Sequence, residues 1–317
     1  MTLRPPVVGT EAPIVSGDNS VSVRSSLKRL AQSLFGKSDV RSFVRTRQLA
    51  LTKRIYRTPV SVEVLRSRFA QLGITRGRTV WVQSSWNEFF NVPLRPMDVI
   101  DLMRDAIGPA GTLVMPAFPI DQDANKVFLA DRAPVSTGLL CEMFRRIPGV
   151  RRSIHLASSV CAVGPNAEFL VKDHHFTLLP FGLESPFCRL MDVDAQIVGL
   201  GVEPTSMAPL HAVECLLHDE VPYFQLVFDG VTRYRWRLST GETGEHEFLT
   251  RVGRIRPQTL RRRFGAEICI RTRDSNLRMG AANARKLIGH AMVLARAGIT
   301  IYVDPAPKPA LFIPRTA

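Results

Sequence analysis

From about residue 60 onward, apolar positions recur with the spacing of helices and, between them, in short uninterrupted runs. Residues 60–73 (VSVEVLRSRFAQLG) predict a helix that ends at Gly73, followed by the turn TRGR and a buried strand, VWVQ, at 80–83. The same order recurs in MDVIDLMRDAIG, PAG and TLVMPAF. Such alternation is typical of layered α/β folds whose sheet is covered on both faces. The sequence therefore predicts an α/β/α sandwich around a central mixed sheet.

Further elements continue this pattern toward the C-terminus. Helices are predicted at 137–147, 207–219 and 281–297, and strands at 158–164 and 195–201. Residues 222–275 instead indicate short strands and turns, with TGETGE as a turn after TRYRWRLS. We expect these residues to form a small antiparallel addition in the C-terminal third. A last strand is predicted in ITIYVDP.

The N-terminal part differs from the rest in composition. Residues 1–57 are predicted to be a disordered tail followed by a basic helical segment, in which apolar residues recur at helical spacing before Gly36. This helix could pack on the body or lie on a membrane surface, and packing is the favoured interpretation. Residues 58–317 are predicted to form the main domain.

The net charge of +14 raises the question of nucleic acid. No RNP-like aromatic motif, zinc module or recognition helix accompanies the basic segments, so no specific nucleic-acid partner is expected. No apolar run is long enough for a transmembrane segment, and no secretion signal is evident, so a cytoplasmic location is expected. The five cysteines are widely spaced and predict reduced, structural thiols. The oligomeric state stays open, a homodimer included.

Candidate chemistry is concentrated in RRSIHLASSVCAVGP (151–165) and GLGVEPTSMAPLHAVECLL (199–217). They contain His155, His211 and Glu214, which can accept a proton near neutral pH. Short segments at 84–85, 116–118 and 203–206 also follow three predicted strands, and the first and last of them contain serines. Hydroxyls are ordinary helix caps, but three such strand ends together favour a ligand crevice at the carboxyl edge of the sheet.

Six pieces of the chain, taken in order, resemble the aminoglycoside 3-N-acetyltransferase family. They are LGITRGRTVWVQSS, IGPAGTLVMPAF, APVSTGLLCEMFRRIPGVRRSIH, SSVCAVGP, PFGLESPFCRL and VGLGVEPTSMAPLHAVE. The resemblance implies an acetyl-CoA-dependent N-acetyltransferase in which an amine of an aminoglycoside or other amino-sugar-like acceptor attacks the thioester directly. It also implies that residues 222–275 lie on the acceptor side and that no metal is required.

The resemblance implies roles for particular residues. We expect His155 and Glu214 to handle the proton as a pair and His211 to position the substrate. The pantetheine arm of the cofactor is expected to lie along Ser84, Ser85, Ser159, Val160 and Ser206. Their sequence surroundings, and not the resemblance, predict the places of the other candidates. His174 and His175 are expected at the surface, and His218, His246 and His290 in solvent. Asp121 and Asp123 are expected in an ordinary polar loop that could also meet a cationic acceptor.

Several positions depart from the family pattern. Gln83 stands where a histidine is common, Leu156 replaces a proline, and Ala208 replaces a threonine; Trp86 and Ser158 also differ. Because of these departures, a second hypothesis is a catalytically altered family member that binds CoA in a regulatory or scaffolding role. A third hypothesis, a basic binder of nucleic acid or membrane surfaces, rests on the charge alone. The charge also favours an anionic or neutral acceptor over a polycationic one.

Overall fold

The computed structural model describes Arg47 and residues 50–313, and the chain divides into two units, residues 1–55 and 56–317. In the first unit, residues 50–55 are helical. The amphipathic helix predicted before Gly36 lies outside the described residues. The predicted division at residue 57 stays a prediction, and the strands and helices that follow belong to the second unit.

A seven-stranded mixed sheet forms the centre of this unit. Its strands are β1 (Thr79–Ser84), β2 (Thr112–Pro116), β4 (Arg151–Arg152), β5 (Val160–Val163), β6 (Gln196–Leu200), β10 (Ile270–Asp274) and β11 (Leu277–Asn283). They lie in the order β10-β11-β6-β1-β2-β5-β4. Strands β6, β1 and β2 are mutually parallel, and the other neighbours pair antiparallel. The mixed central sheet predicted from the sequence is confirmed.

Helices cover both faces of the sheet. The helices are α1 (Val62–Gln71), α2 (Pro96–Ile107), α3 (Leu139–Phe144), α4 (Ala167–Val171), α5 (Pro186–Asp192), α6 (Ala212–Leu216), α7 (Gln258–Arg261) and α8 (Ala284–Arg296). Alternate residues of β1 enter opposite cores: Trp81 packs in the core that holds α5 and α8, whereas Val80 and Val82 pack in the core that holds α1 and α2. The period of two in a strand therefore builds two apolar layers from one short run.

A smaller, three-stranded sheet comprises β3 (Val127–Leu129), β7 (Phe228–Arg237) and β8 (Thr243–Arg251), in the order β3-β7-β8. Strands β7 and β8 form the predicted antiparallel hairpin, while β3 joins β7 in parallel. Phe128, Tyr234, Trp236 and Phe248 form its core together with Leu156. Two short strands, β9 (Arg254–Ile255) and β12 (Tyr302–Asp304), pair separately.

The structure differs from the predicted elements in three places. Residues 207–219 are not one helix: a 3₁₀ turn at Ala208–His211, which contains Pro209, precedes α6. Residues Pro222–Val227 form a 3₁₀ helix instead of a strand. The late helix begins at Ala284, because the small apolar residues before it pair with β6 as strand β11.

Among residues 50–313, no helix combines the length and the apolar character needed to cross a bilayer.

Candidate active site

The carboxyl ends of the parallel strands β1, β2 and β6 meet at one edge of the central sheet, the position at which open α/β sheets bind ligands. Ser85, directly after β1, donates its backbone N–H to the carbonyl of Leu200 at the end of β6, at 2.9 Å. Strand β5 runs the opposite way, so its first residues lie at this same edge, with Val160 opposite Pro116 of β2. All three predicted strand ends are therefore brought together.

A histidine and a carboxylate lie hydrogen-bonded behind this edge. His211 Nδ1 is 2.6 Å from Glu214 Oε1, and the same oxygen accepts a hydrogen bond from the Tyr302 hydroxyl at 2.8 Å. The Glu214 side chain is only 2% exposed and that of His211 is 12% exposed. Because Glu214 accepts from Nδ1, the Nε2 atom of a neutral His211 is left with a lone pair that can take a proton.

A guanidinium adjoins this pair. Arg251 Nη1, at the end of β8, lies 3.2 Å from Nδ1 and 3.3 Å from Nε2 of His211, and 3.9 Å from Glu214 Oε1. Burial lowers the pKa of His211 below its ordinary value; Glu214 opposes this shift and Arg251 adds to it. His211 is therefore neutral at neutral pH and able to act as a base.

His155 occupies a different environment from the one predicted. Its Nδ1 accepts hydrogen bonds from the N–H groups of Ala157 and Ser158, at 3.1 and 3.2 Å, and lies 3.1 Å from Ser158 Oγ. Its ring stacks on His174, with centroids 4.6 Å apart, and burial moves its pKa well below the usual value. The Nε2 atom is buried without a hydrogen-bond partner among the described residues. Glu214 thus hydrogen-bonds with His211, whereas the sequence had paired it with His155.

A pocket of about 380 Å³ lies between the main body and the β7–β8 hairpin. Its lining residues are Phe118, Gln122, Leu156, Ala157, Ser158, Pro180, Phe181, Thr232, Phe248, Thr250 and Arg251. One wall is formed by Phe181, whose ring is 5.2 Å from that of His211, and another by Ser158, which contacts His155. This volume lies within the range of small-molecule sites, about 300–1,000 Å³.

Two larger clefts lie away from these histidines. One, of about 480 Å³, is on the outside of the β7–β8 hairpin beside Arg233 and Glu247. The other, of about 540 Å³, is lined by residues at 108–111 that precede β2, at the opposite edge of the central sheet. The 380 Å³ pocket is the candidate active site, because its lining includes Ser158, which contacts His155, and Phe181 and Arg251, which contact His211.

The five residues expected along the cofactor divide into two groups. Ser84, Ser85 and Ser206 lie at the ends of β1 and β6, and none of their side chains has a hydrogen bond to another described residue. Ser159 and Val160 are buried at the start of β5, where Ser159 Oγ donates to the carbonyl of Ala117 at 2.6 Å and the Val160 N–H donates to Ser153 Oγ. The first group is thus open to a ligand, and the second is engaged within the fold.

Gln83 and Ala208, two departures from the family pattern, contact each other. The Ala208 N–H donates to Gln83 Oε1 at 3.0 Å, which fixes the orientation of the amide. The Nε2 group of Gln83 therefore keeps both of its donors without partners in the described part of the chain. Nearby, the hydroxyl of Thr205 is buried and has no partner there either. This edge thus presents polar atoms that a bound ligand could satisfy.

The other histidines, acidic residues and cysteines considered in the sequence lie outside the His211–Glu214 pair. His174 is fully buried, so its expected surface position is wrong; its imidazole bonds to Ser153 Oγ and the carbonyl of Pro180. Asp121 and Asp123 are in an exposed loop, where both pair with Lys126. His175, which was expected at the surface, is half-buried, and so are three histidines that were expected in solvent, His218, His246 and His290. All five cysteines are buried free thiols, as the sequence indicated. Among the residues described, no three His, Cys, Asp or Glu side chains are placed to hold a metal ion.

Two residues of the site were missed by sequence reasoning. Tyr302 was assigned only to a last strand, and Arg251 only to a run of basic residues. Tyr302 contacts Glu214 across 88 positions of sequence, and Arg251 contacts His211 across 40. A tyrosine in the last strand and an arginine at the end of β8 were the available signals, but neither shows which residue it contacts.

Comparison with known proteins identifies a family. The family model described as aminoglycoside 3-N-acetyltransferase matches residues 81–285. The chain belongs to this family. The match includes β1 from Trp81 onward, the strand ends, His155 and the His211–Glu214 pair, but not Tyr302.

Individual family members are similar over part of their length. Aminoglycoside N(3)-acetyltransferase IV of Salmonella sp. is 33% identical over 180 residues, which are 56% of this chain and 64% of that protein. The matched region thus spans less than two thirds of the relative. The crystal structure of aminoglycoside acetyltransferase AAC(3)-Xa superposes with a TM-score of 0.66 at 22% identity, covering 80% of this chain and 99% of that one. A mutant of AAC(3)-IVa in complex with a gentamicin gives 0.63 at 25% identity, covering 76% and 90%.

Proposed function

We propose that this protein transfers the acetyl group of acetyl-CoA to an amine of an aminoglycoside or another amino sugar. Membership of the family supports the reaction class, and the AAC(3)-IVa complex with gentamicin supports an amino-sugar acceptor. The observation that carries the proposal is the 2.6 Å contact between His211 and the buried Glu214, beside a pocket of suitable size.

His211 acts as the base in this proposal. An amino-sugar amine is mostly protonated near neutral pH, and only its neutral form is nucleophilic, so the site must accept a proton. His211 Nε2 takes that proton, while Glu214 holds Nδ1–H and stabilises the imidazolium that forms. Tyr302 keeps Glu214 in place. The proton taken by His211 leaves to solvent. The neutral amine nitrogen then bonds to the acetyl carbon and gives up a second proton to His211, the carbon–sulfur bond breaks, and His211 passes this second proton to the sulfur of the departing CoA.

Acetyl-CoA supplies the activated acetyl group, and the open strand ends fit it. Ser84, Ser85 and Ser206 would line its pantetheine arm, because their side chains are unengaged at the edge next to His211. The unpaired Nε2 donors of Gln83 are suited to the oxyanion that develops on the acetyl oxygen, a contribution of about 3 kcal/mol for one well-placed donor. His155, Ser159 and Val160 support this edge from within the fold.

Two measurements test the proposal. A thermal-shift titration with acetyl-CoA should show a saturable rise in melting temperature, because a ligand of the folded state alone adds RT ln(1 + [L]/Kd) to stability. Thiol release with gentamicin and with simple amino sugars should then be lost in His211→Asn, with Kd for acetyl-CoA unchanged. Thiol release that is as fast in His211→Asn as in the wild type would contradict the assigned base.

An alternative function follows from the contact between Gln83 and Ala208. Both residues depart from the family pattern, in which a histidine and a threonine are common at these positions, and a chain altered in this way would bind CoA without catalysis, in a regulatory or scaffolding role. The same pair of measurements separates the two functions: a thermal shift with acetyl-CoA and no thiol release with any amine supports the alternative.

A further inference from the structure

Arg251 is the charged residue of the candidate pocket. Of the described residues that line the pocket, none is aspartate or glutamate. Glu214, the nearest carboxylate to the guanidinium, is 2% exposed and is not part of the lining. The two aspartates that flank Gln122 both pair with Lys126. An acceptor that enters the pocket therefore meets a positive charge and no free negative one in this part of the chain.

The guanidinium has donors available for a ligand. All of its polar contacts with described residues involve Nη1, which lies against His211, the Tyr302 hydroxyl and Glu214. The Nε and Nη2 groups have no partner among those residues. Phe181 packs against the guanidinium carbon at 5.9 Å, and the side chain is 31% exposed. A guanidinium that is fixed through one nitrogen and keeps free N–H groups can bind two oxygens of a carboxylate or a phosphate at once.

The position of this charge also bears on the chemistry. A positive charge beside the bound acceptor disfavours its ammonium form and hence favours the neutral, nucleophilic amine. Burial lowers the pKa of His211 and the charge of Arg251 lowers it further, so the base stays unprotonated. A polycationic acceptor would lose binding energy in this field, whereas an acceptor with an anionic substituent would gain it.

From this arrangement we infer that the acceptor is an amino sugar bearing an anionic group, a phosphate or a carboxylate, which binds the free N–H groups of Arg251. This inference rests on the proposed acetyl transfer and specifies its substrate class. Arg251 is thus a specificity-determining residue, with Phe181 holding its guanidinium at the pocket wall. The overall charge of +14 would add long-range attraction for such an acceptor.

The test compares four acceptors by thiol release from acetyl-CoA: glucosamine, glucosamine 6-phosphate, muramic acid and gentamicin. Glucosamine 6-phosphate and muramic acid carry a phosphate and a carboxylate, so they distinguish the two anionic groups. We expect kcat/KM for at least one of them to exceed that for glucosamine by about 10- to 100-fold, the range of a hydrogen-bonded charged contact. Gentamicin should be the poorest of the four.

The variants assign this preference to Arg251. Arg251→Met should abolish the preference by raising KM for the anionic acceptors. Arg251→Lys should retain part of it, because a lysine keeps the charge but lacks the paired N–H donors of a guanidinium. The matched control is Arg233→Met, an arginine on the same hairpin that faces solvent and pairs with Glu247. A preference that is absent, or that survives in Arg251→Met, overturns the inference while leaving acetyl transfer intact.

A binding measurement keeps the two proposals separable. If no acceptor is acetylated, the proposed function fails, and thermal shifts with glucosamine 6-phosphate and muramic acid then decide the inference. A shift in the wild type and in Arg233→Met, but not in Arg251→Met, supports an anion-binding pocket. No shift for either compound overturns it.

Discussion

Replacing Glu214 with glutamine removes the negative charge beside His211 and keeps the shape of the side chain. The glutamine oxygen can still accept from His211 Nδ1 and the Tyr302 hydroxyl, so the geometry at 2.6 and 2.8 Å should be retained. What is lost is the attraction between a carboxylate and the imidazolium that forms during the reaction. For charges about 4 Å apart at an effective dielectric constant of about 20, this attraction is about 4 kcal/mol. Arg251, 3.9 Å from the carboxylate, reduces this value.

We therefore expect kcat/KM to fall by about 10²- to 10³-fold, the equivalent of about 3–4 kcal/mol. Removing the carboxylate also lowers the pKa of His211 further. Activity that depends on a neutral base rises with pH through that pKa, so the acid limb of the pH–rate profile should move to lower pH.

The assay is thiol release from about pH 5 to pH 9, with the melting temperature as a check on folding. The matched control is Glu168→Gln, at an exposed ion pair with Arg151, which should change neither rate nor profile. If Glu214→Gln retains more than a tenth of the wild-type kcat/KM over this range, the pair is not the proton-handling unit.

Three further predictions concern stability and reactivity. Burial lowers the pKa of His174 to about 3, so as pH falls below about 6.5 the unfolded chain takes up a proton before the folded chain does. The free energy of unfolding should therefore drop by about 1.4 kcal/mol per pH unit. Urea titrations of His174→Gln should show a shallower dependence of this free energy on pH. Gly199→Ala should destabilise the fold by about 1–3 kcal/mol, because the added Cβ would lie 2.2 Å from the carbonyl oxygen of Val202. Gly289→Ala, in α8, should instead stabilise it by about 0.5–1 kcal/mol, because no atom of the described residues lies within contact distance of the added Cβ. Equal melting temperatures of the two variants would refute this contrast. Burial raises the pKa of the Cys141 and Cys161 thiols to about 12, so a thiol reagent should label these side chains only after denaturation, and rapid labelling of the native chain would contradict their burial.

Much of the fold was predictable because its signals are local. A run such as 60–83 contains its own helix period, terminating glycine and apolar strand, and each of these depends on neighbours a few positions away. The exceptions have identifiable causes. The apolar pattern of 207–219 does not distinguish an α-helix from a 3₁₀ turn that includes Pro209, and the small residues of β11 become a strand only by pairing with β6.

The candidate site was predictable in its residue types and less so in its connections. The sequence singled out His155, His211 and Glu214 in two separate segments, and the structure brings His211 and Glu214 into contact. The sequence did not show that the His155 ring would stack on His174 and pack beside Phe248, or that Glu214 would hydrogen-bond with His211. The packing of His155 depends on segments that are distant along the chain.

By itself, the sequence determined the layered α/β architecture, the family resemblance and the presence of a histidine and a carboxylate three positions apart. Only the tertiary structure decided that Glu214 serves His211, that Tyr302 holds Glu214, and that Arg251 supplies the charge of the pocket. The physical reason is that periodicity and turn chemistry act over a few residues, whereas hydrogen-bond partners and local charge depend on side chains that folding brings together from 40 to 88 positions away.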